Sequence, residues 1–415
     1  MNATKTFDIS KQLVMDAYKA VKANAGAAGI DEQSIKDFEK DLKDNLYKIW
    51  NRMSSGSYFP PPVKAVAIPK KNGGERILGI PTVADRVAQT VDKKAFEPSV
   101  EPAFLPDSYG YRPGKSALDA VGVTRERCWK YDWVLEFDIK GMFDNIDHEL
   151  LMKAVRKHTS CKWVILYIER WLKAPMKMKD GTVVERHMGT PQGGGISPVL
   201  ANLFMHYVFD VWMARKFPEH PWCRYADDGL VHCKTEQQAQ AIKVALECRL
   251  EECKLKMHRE KTRIVYCKDG SRKGKYPTTK LDFLGYTFRP RTVKNTKRNS
   301  MFVSFTAAVS AKALKAMRQT TRKWNLRNRT DLELIDLSKM FNPILRGWME
   351  YYGKYSPSGM LPVFRHFNGT LRAWAMRKYK RLKGHKTRAA LLIEKNAKER
   401  PGLFVHWKKG MLGFA

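Results

Sequence analysis

Two consecutive acids, Asp227 and Asp228, stand between two short apolar runs, Trp222-Cys223-Arg224-Tyr225 and Leu230-Val231-His232-Cys233. That arrangement predicts a strand, a tight turn and a second strand, with Asp228-Gly229 as the turn signal. Such a hairpin would hold carboxylate oxygens at a rigid, exposed tip. Hard oxygen donors suit Mg²⁺, which keeps several waters and shares its coordination between one or two carboxylates and substrate phosphates. Acids and glycine are also ordinary turn formers, so the hairpin alone does not choose between a metal site and a plain bend.

A second carboxylate changes the balance. Trp133-Val134-Leu135-Glu136-Phe137 is an apolar run that reads as a buried strand, and Asp138 stands where it ends. A strand ending in an acid beside a hairpin carrying two more would supply both sides of a two-metal site, with ions about 4 Å apart, for in-line phosphoryl displacement. The plainer account makes Asp138 the cap of the helix that begins near Asp147-His148-Glu149, a task for which Asp144 or Asp147 is better placed.

Other blocks surround these acids in a fixed order. They are Ile68-Pro69-Lys70 through Arg76-Ile77-Leu78-Gly79-Ile80-Pro81-Thr82, Asp85-Arg86, Ser108-Tyr109-Gly110-Tyr111-Arg112-Pro113, and Phe137-Asp138 through Phe143-Asp144. Next come Gly189-Thr190-Pro191-Gln192-Gly193-Gly194, then Ser197-Pro198 with Leu200-Ala201-Asn202, then Tyr225-Ala226-Asp227-Asp228. His258-Arg259-Glu260-Lys261-Thr262 and Phe283-Leu284-Gly285-Tyr286 complete the series. No single block decides a family, but their shared order is specific. Together the blocks resemble a bacterial group II intron-encoded reverse transcriptase, or maturase.

The resemblance implies an α/β right-hand polymerase with fingers and palm, followed by an α-helical thumb and maturase domain. The expected divisions are 1–130 for an N-terminal extension and fingers, 131–290 for the palm, 291–383 for the thumb and maturase (X) domain, and 384–415 for a short basic segment. Fingers and palm are free to interleave. The implied activity is addition of deoxynucleoside triphosphates to a primer on an RNA template, with two Mg²⁺ ions held by Asp138 and Asp227 and with Asp228 close by. Lys70 and Arg76 flank a hairpin turn where two cations would clamp a triphosphate, or else lie on a solvated turn. Phe143 would sit under the incoming sugar and exclude a 2′-hydroxyl, or else pack in the core. Gln192 would contact nucleotide and template, Lys261 would donate a proton to departing pyrophosphate, and Leu284 and Gly285 would hold the primer. The implied partners are a structured intron RNA and a DNA target, with a homodimer left open. No Cys-x-x-Cys pair or His-rich nuclease segment follows Trp407, so second-strand cleavage is not expected. Two rival functions stay open: a splicing factor with a vestigial polymerase, and a related enzyme adopted for host work such as phage defence.

Charge agrees without the resemblance. Seventy-six Lys and Arg oppose 42 Asp and Glu, a net +34. From Arg291 onward 28 basic residues face six acids, so that stretch carries +22 and the first 290 residues +12. A surface this one-sided repels itself unless it meets a polyanion. Arg372, Arg377, Lys378, Lys380, Arg381, Lys383, Lys386 and Arg388 form the densest cluster and are candidate RNA contacts. Trp324, Trp348, Trp374 and Trp407, interleaved with basic residues, read as base-stacking platforms or, more simply, as helix packing. A hydrophobic content of 43% excludes a disordered basic tail. Seven cysteines without a paired motif point to a reducing compartment, and no run is apolar enough to span a bilayer, so a cytoplasmic chain, nucleoid-associated when on DNA, is expected.

Period and punctuation place helices at 12–22, 35–52, 83–97, 117–130, 148–158, 196–217 and 237–252. Strands are expected at 63–69, 76–80 and 281–288. Beyond 289 the pattern reads as mostly helical, with helices at 311–324, 332–352 and 361–383.

Overall fold

The structure is a computed structural model that describes residues 5–69, 74–295 and 298–414; Lys70 therefore lies outside the described residues. The chain forms two compact units, Met1–Ala120 with Leu135–Ile264, and Val121–Val134 with Val265–Ala415.

The first unit contains an antiparallel pair, β1 (Val63–Pro69) and β2 (Glu75–Ile80), running from Lys64 opposite Ile80 to Pro69 opposite Glu75. The central strand of the chain, β3 (Trp133–Asp138), is buried at five of its six positions, as an unbroken apolar run requires. A short hairpin, β4 (Met176–Lys177) and β5 (Val183–Val184), extends the first sheet to the order β2-β1-β4-β5. The second hairpin, β6 (Trp222–Tyr225) and β7 (Asp228–Cys233), joins β3 and β8 (Arg263–Tyr266) in a sheet of order β6-β7-β3-β8. Placing β7 next to β3 sets the ends that carry the acids side by side.

Helices begin where side chains cap them. Ser10, Thr82, Asp147 and Thr235 each accept the backbone N–H three residues on, starting helices Lys11–Asn24, Val83–Val100, His148–His158 and Glu236–Glu252. Asp147, not Asp138, is thus the cap. The helix expected over 35–52 is broken at Asp41 into Ile35–Lys40 and Leu42–Ser54. The one expected over 196–217 runs as Ser197–Met205, a π-helical turn His206–Asp210, and Val211–Lys216. Helix Lys162–Lys173 went unread, although Trp163, Val164, Tyr167, Ile168, Trp171 and Leu172 form its buried stripe.

The second unit departs further from expectation. Residues 281–288 are two strands, β9 (Leu281–Phe283) and β10 (Tyr286–Asn295), parted by Leu284 and Gly285 with φ of 50° and 82°. β10 pairs along its whole length with β11 (Ser300–Val309), where a mostly helical pattern was expected. On the face where β10 buries Tyr286 and Phe288, Pro290, Thr292 and Lys294 come next, so its apolar alternation stops at Phe288 and β10 alone does not announce the ribbon. Helices Ala311–Lys323, Leu334–Tyr352 and Leu361–Lys378 follow, and Tyr379 ends the last short of the expected 383. The segment 384–415 is folded: helix Lys386–Glu399 buries Ala389, Ile393 and Ala397, and Phe404 and Trp407 join the same core. Among the described residues no helix is long and apolar enough to cross a membrane.

Candidate active site

Tyr225 pairs with Asp228, so the β6-β7 turn is Ala226-Asp227 and not Asp228-Gly229. Ala226 takes a φ of 56°. Gly229 lies inside β7, where a Cβ would stand 2.1 Å from Cζ of Phe137, so glycine here serves the close approach of β7 to β3. Gly110 does the same beneath the turn, since its Cβ would lie 2.5 Å from the Ala226 nitrogen.

Arg224, fully buried, fixes the turn from below. Its Nε and Nη2 donate to the two oxygens of Asp210 at 2.7 and 2.6 Å, Nη2 also donates to Ser108 Oγ at 2.8 Å, and Nη1 donates to Asn202 Oδ1 at 3.1 Å and to the Ala226 carbonyl at 3.0 Å. Asn202 Nδ2 in turn donates to the Gly110 carbonyl at 2.5 Å. A buried guanidinium with this many charge-assisted bonds is a rigid support. In the sequence Arg224 stands out only as part of the first run of the hairpin.

The three acids gather as the sheet order requires. Asp138 is 6% exposed, its carbonyl accepts the His258 N–H at 2.8 Å, and its carboxylate holds the Lys261 ammonium. Burial lowers the Lys261 pKa, but the hydrogen bond to Asp138 and the charges of Asp138, Asp228 and Asp227 more than reverse this, leaving it raised. Asp228 keeps an exposed edge. Crowding by protein around the rest of it, followed by the charges of Asp227 and Asp138, raises its carboxyl to about 7. Burial, then the charge of Asp138, also pushes Asp227 up. Mutual repulsion of this kind is what a bound cation relieves. Among the described residues no group of three or more His, Cys, Asp or Glu is placed to hold a metal ion by itself. Mg²⁺ shared with waters and phosphates does not need one, and the hard oxygens present fit it.

On the neighbouring side Arg76 Nε donates to Gln192 Oε1, and Gln192 Nε2 donates to Asp144 Oδ1 at 2.9 Å. Asp144 was read only as a helix-cap candidate. A buried relay holds this loop: Tyr58 and Trp171 donate to Asp85 Oδ1 at 2.8 Å each, Gln89 donates to Asp85 Oδ2 at 2.9 Å, and Gly195 N–H donates to Gln89 Oε1 at 2.7 Å. Phe143, 8% exposed, stands edge-on to Tyr111 at 6.4 Å, and Tyr111 lies 6.4 Å from Tyr225. Tyr111 was not singled out, although its φ of 58° and half-exposed ring mark it.

In the second unit Tyr351 donates to the Leu284 carbonyl at 2.9 Å, and a Cβ on Gly285 would meet Cε1 of Tyr352 at 3.0 Å. The basic cluster is not one free face. Arg377 bonds Asn328, while Lys378 pairs with Glu333 at 2.7 Å and donates to the Leu332 carbonyl at 2.9 Å. Arg372 lies over the Phe414 ring at 5.2 Å, and Lys380, Arg381, Lys383, Lys386 and Arg388 are exposed. Trp374 and Trp407 are buried, and Trp324 stacks on Trp348 at 5.5 Å, so these rings pack helices.

The family described as reverse transcriptase (RNA-dependent DNA polymerase) matches residues 68–288, and the group II intron, maturase-specific domain matches 314–390. Protein YkfC of Escherichia coli (strain K12) is 32% identical over 290 residues, 59% of this chain and 74% of that protein. The group II intron-encoded protein LtrA of Lactococcus lactis subsp. cremoris is 26% identical over 437 residues, 84% of this chain and 70% of that one. Telomerase from Candida albicans gives a TM-score of 0.45 at 11% identity, over 91% of this chain and 68% of that one, a likeness too low to carry weight. With the polymerase family matched over more than half its length and a maturase-specific domain after it, the chain belongs to the group II intron reverse transcriptases, RNA-directed DNA polymerases.

Proposed function

We propose that Asp138 and Asp227 hold two Mg²⁺ ions, with Asp228 beside them, and that the chain copies RNA into DNA from a primer 3′-hydroxyl. The observation that carries this reading is the meeting of Asp138, at the end of β3, with Asp227 and Asp228 at the turn into the neighbouring β7, where burial and then the charges of Asp227 and Asp138 raise Asp228, and burial and then the charge of Asp138 raise Asp227. The bound metal would activate the attacking oxygen and neutralise charge on the leaving pyrophosphate. The remaining work belongs to the chain. Arg76 and Gln192, already joined, form a donor edge for the triphosphate, and Lys70 is proposed to act with them. Phe143 bars a 2′-hydroxyl. Lys261, kept protonated beside Asp138, is a proton source for pyrophosphate. Leu284 and Gly285 present backbone to the primer, and the basic second unit binds the structured intron RNA to assist splicing and insertion at a DNA target.

The test is Asp227→Asn, which keeps size and removes the anionic ligand. Templated synthesis should fall roughly a thousandfold or more, with RNA affinity and splicing assistance nearly unchanged. Extension at a near-wild-type rate by the folded variant would sink the proposed site.

A further inference from the structure

A cavity of about 520 Å³ opens in the second unit among helix Ala311–Lys323, the turn Leu326–Asn328 and helix Leu361–Lys378. Arg322, Arg327 and Arg372 line it, and none of its lining residues is acidic. Arg322 and Arg327 are exposed, and among the described residues neither forms an ion pair. His366 is part of the wall. Burial, followed by the charges of Arg322 and Arg318, holds its imidazole below the usual value, as a strongly positive surrounding should. Its ring bonds the Arg318 backbone, leaving Nε2 without a partner. Gly369 adds room, because a Cβ there would meet nothing within 4 Å.

We infer that this cavity is an RNA backbone site, taking consecutive phosphates where the strand bulges or turns sharply. The inference rests on the RNA-binding reading above. Guanidinium forks match phosphate oxygens in pairs, and the absence of carboxylates from the wall leaves the field unopposed. A concave site fits a backbone that folds inward, whereas a regular duplex presents a smooth convex edge. Most of the residues concerned lie outside the 372–388 cluster, so the site is a second anchor with its own geometry.

Gly369→Glu tests this directly. Glutamate is the better helix former, so the helix should gain stability while a carboxylate fills the cavity. Gly369→Ala is the control with the same backbone benefit and no charge. Probes are an RNA hairpin with a single-nucleotide bulge, a fully paired RNA of equal length, and inorganic pyrophosphate. Gly369→Glu should weaken the bulged RNA about tenfold and leave the paired RNA within about twofold, while Arg322→Gln with Arg327→Gln should lower the log–log salt slope by about 1.4 to 1.8. Extension on a short, saturating primer-template should not change. Unaltered bulge affinity and slope in both variants would overturn the proposal, as would pyrophosphate binding lost in both variants with RNA binding intact. Failure of the wild-type chain to bind either RNA would remove the RNA-binding reading and the cavity's role together.

Discussion

Arg224 shows how one buried side chain can decide where the carboxylates of a proposed metal site stand. Arg224→Met takes the guanidinium away from the buried Asp210 carboxylate, a loss of about 3–5 kcal/mol. Adding Asp210→Leu removes that carboxylate and should restore much of that stability, but the Ala226 carbonyl still lacks its donor. The double variant should therefore melt near the wild type yet extend primers slowly in single-turnover assays. Recovery of synthesis together with stability would show that the pair supports folding alone. Phe143 calls for a ratio instead of a rate, because truncating a buried Phe costs about 3–5 kcal/mol whatever its role. Phe143→Ala should raise ribonucleotide relative to deoxynucleotide efficiency, and an unchanged ratio in folded protein would return the ring to plain packing. The acids were legible from sequence because their flanks were apolar. Arg224 was not, because its partner Asp210 lies 14 residues away in a π-helical turn that no local pattern announces.

At the scale of elements, His406 ties the last folded segment to helix Leu361–Lys378. Asn368 spends its Nδ2 on the carbonyls of Met411 and Gly413 at 3.0 Å each, so its Oδ1 must accept, and it takes His406 Nε2–H at 2.7 Å and Trp407 Nε1–H at 3.1 Å. Nδ1 of His406 is left buried and bare, and burial lowers the imidazole to about 3. The unfolded chain takes up a proton near pH 6.5 and the folded chain resists until about 3, so stability is full above 6.5 and declines as pH falls through that window. The loss should reach about 2 kcal/mol at pH 5. Melting of the wild type and His406→Gln from pH 7.5 to 4.5 checks it, since glutamine cannot titrate. Equal slopes would clear His406. Helices with plain caps and stripes, such as His148–His158, are legible in the sequence, whereas the β10-β11 ribbon is not, because β10 loses its apolar alternation after Phe288. The sequence also misplaces the hairpin turn, because Gly229 is a glycine for contact with Phe137 and not for bending.

For the whole molecule, the uneven charge is the property on which the proposed RNA binding rests. Nearly two thirds of the net +34 lies after residue 290, where it was read as a phosphate-binding surface. The structure sorts that charge by use. Arg377 and Lys378 are committed to the 328–333 turn, whereas Lys380, Arg381, Lys383, Lys386 and Arg388 remain exposed. Neutralising those five exposed residues should weaken structured-RNA binding and flatten its salt dependence, each lost phosphate contact removing about 0.7 to 0.9 from the log–log slope. Neutralising Arg377 and Lys378 instead should lower the melting temperature and leave the slope nearly as it was, because their partners are protein. Synthesis on a short, saturating primer-template should survive in the first variant, since Asp138, Asp227 and Asp228 all belong to the first unit. Binding titrations from low to moderate salt, with folding followed by circular dichroism, separate these outcomes. Wild-type affinity and slope in the five-site variant would make the exposed cluster a solvated face and move RNA binding to the arginine-lined cavity or another surface.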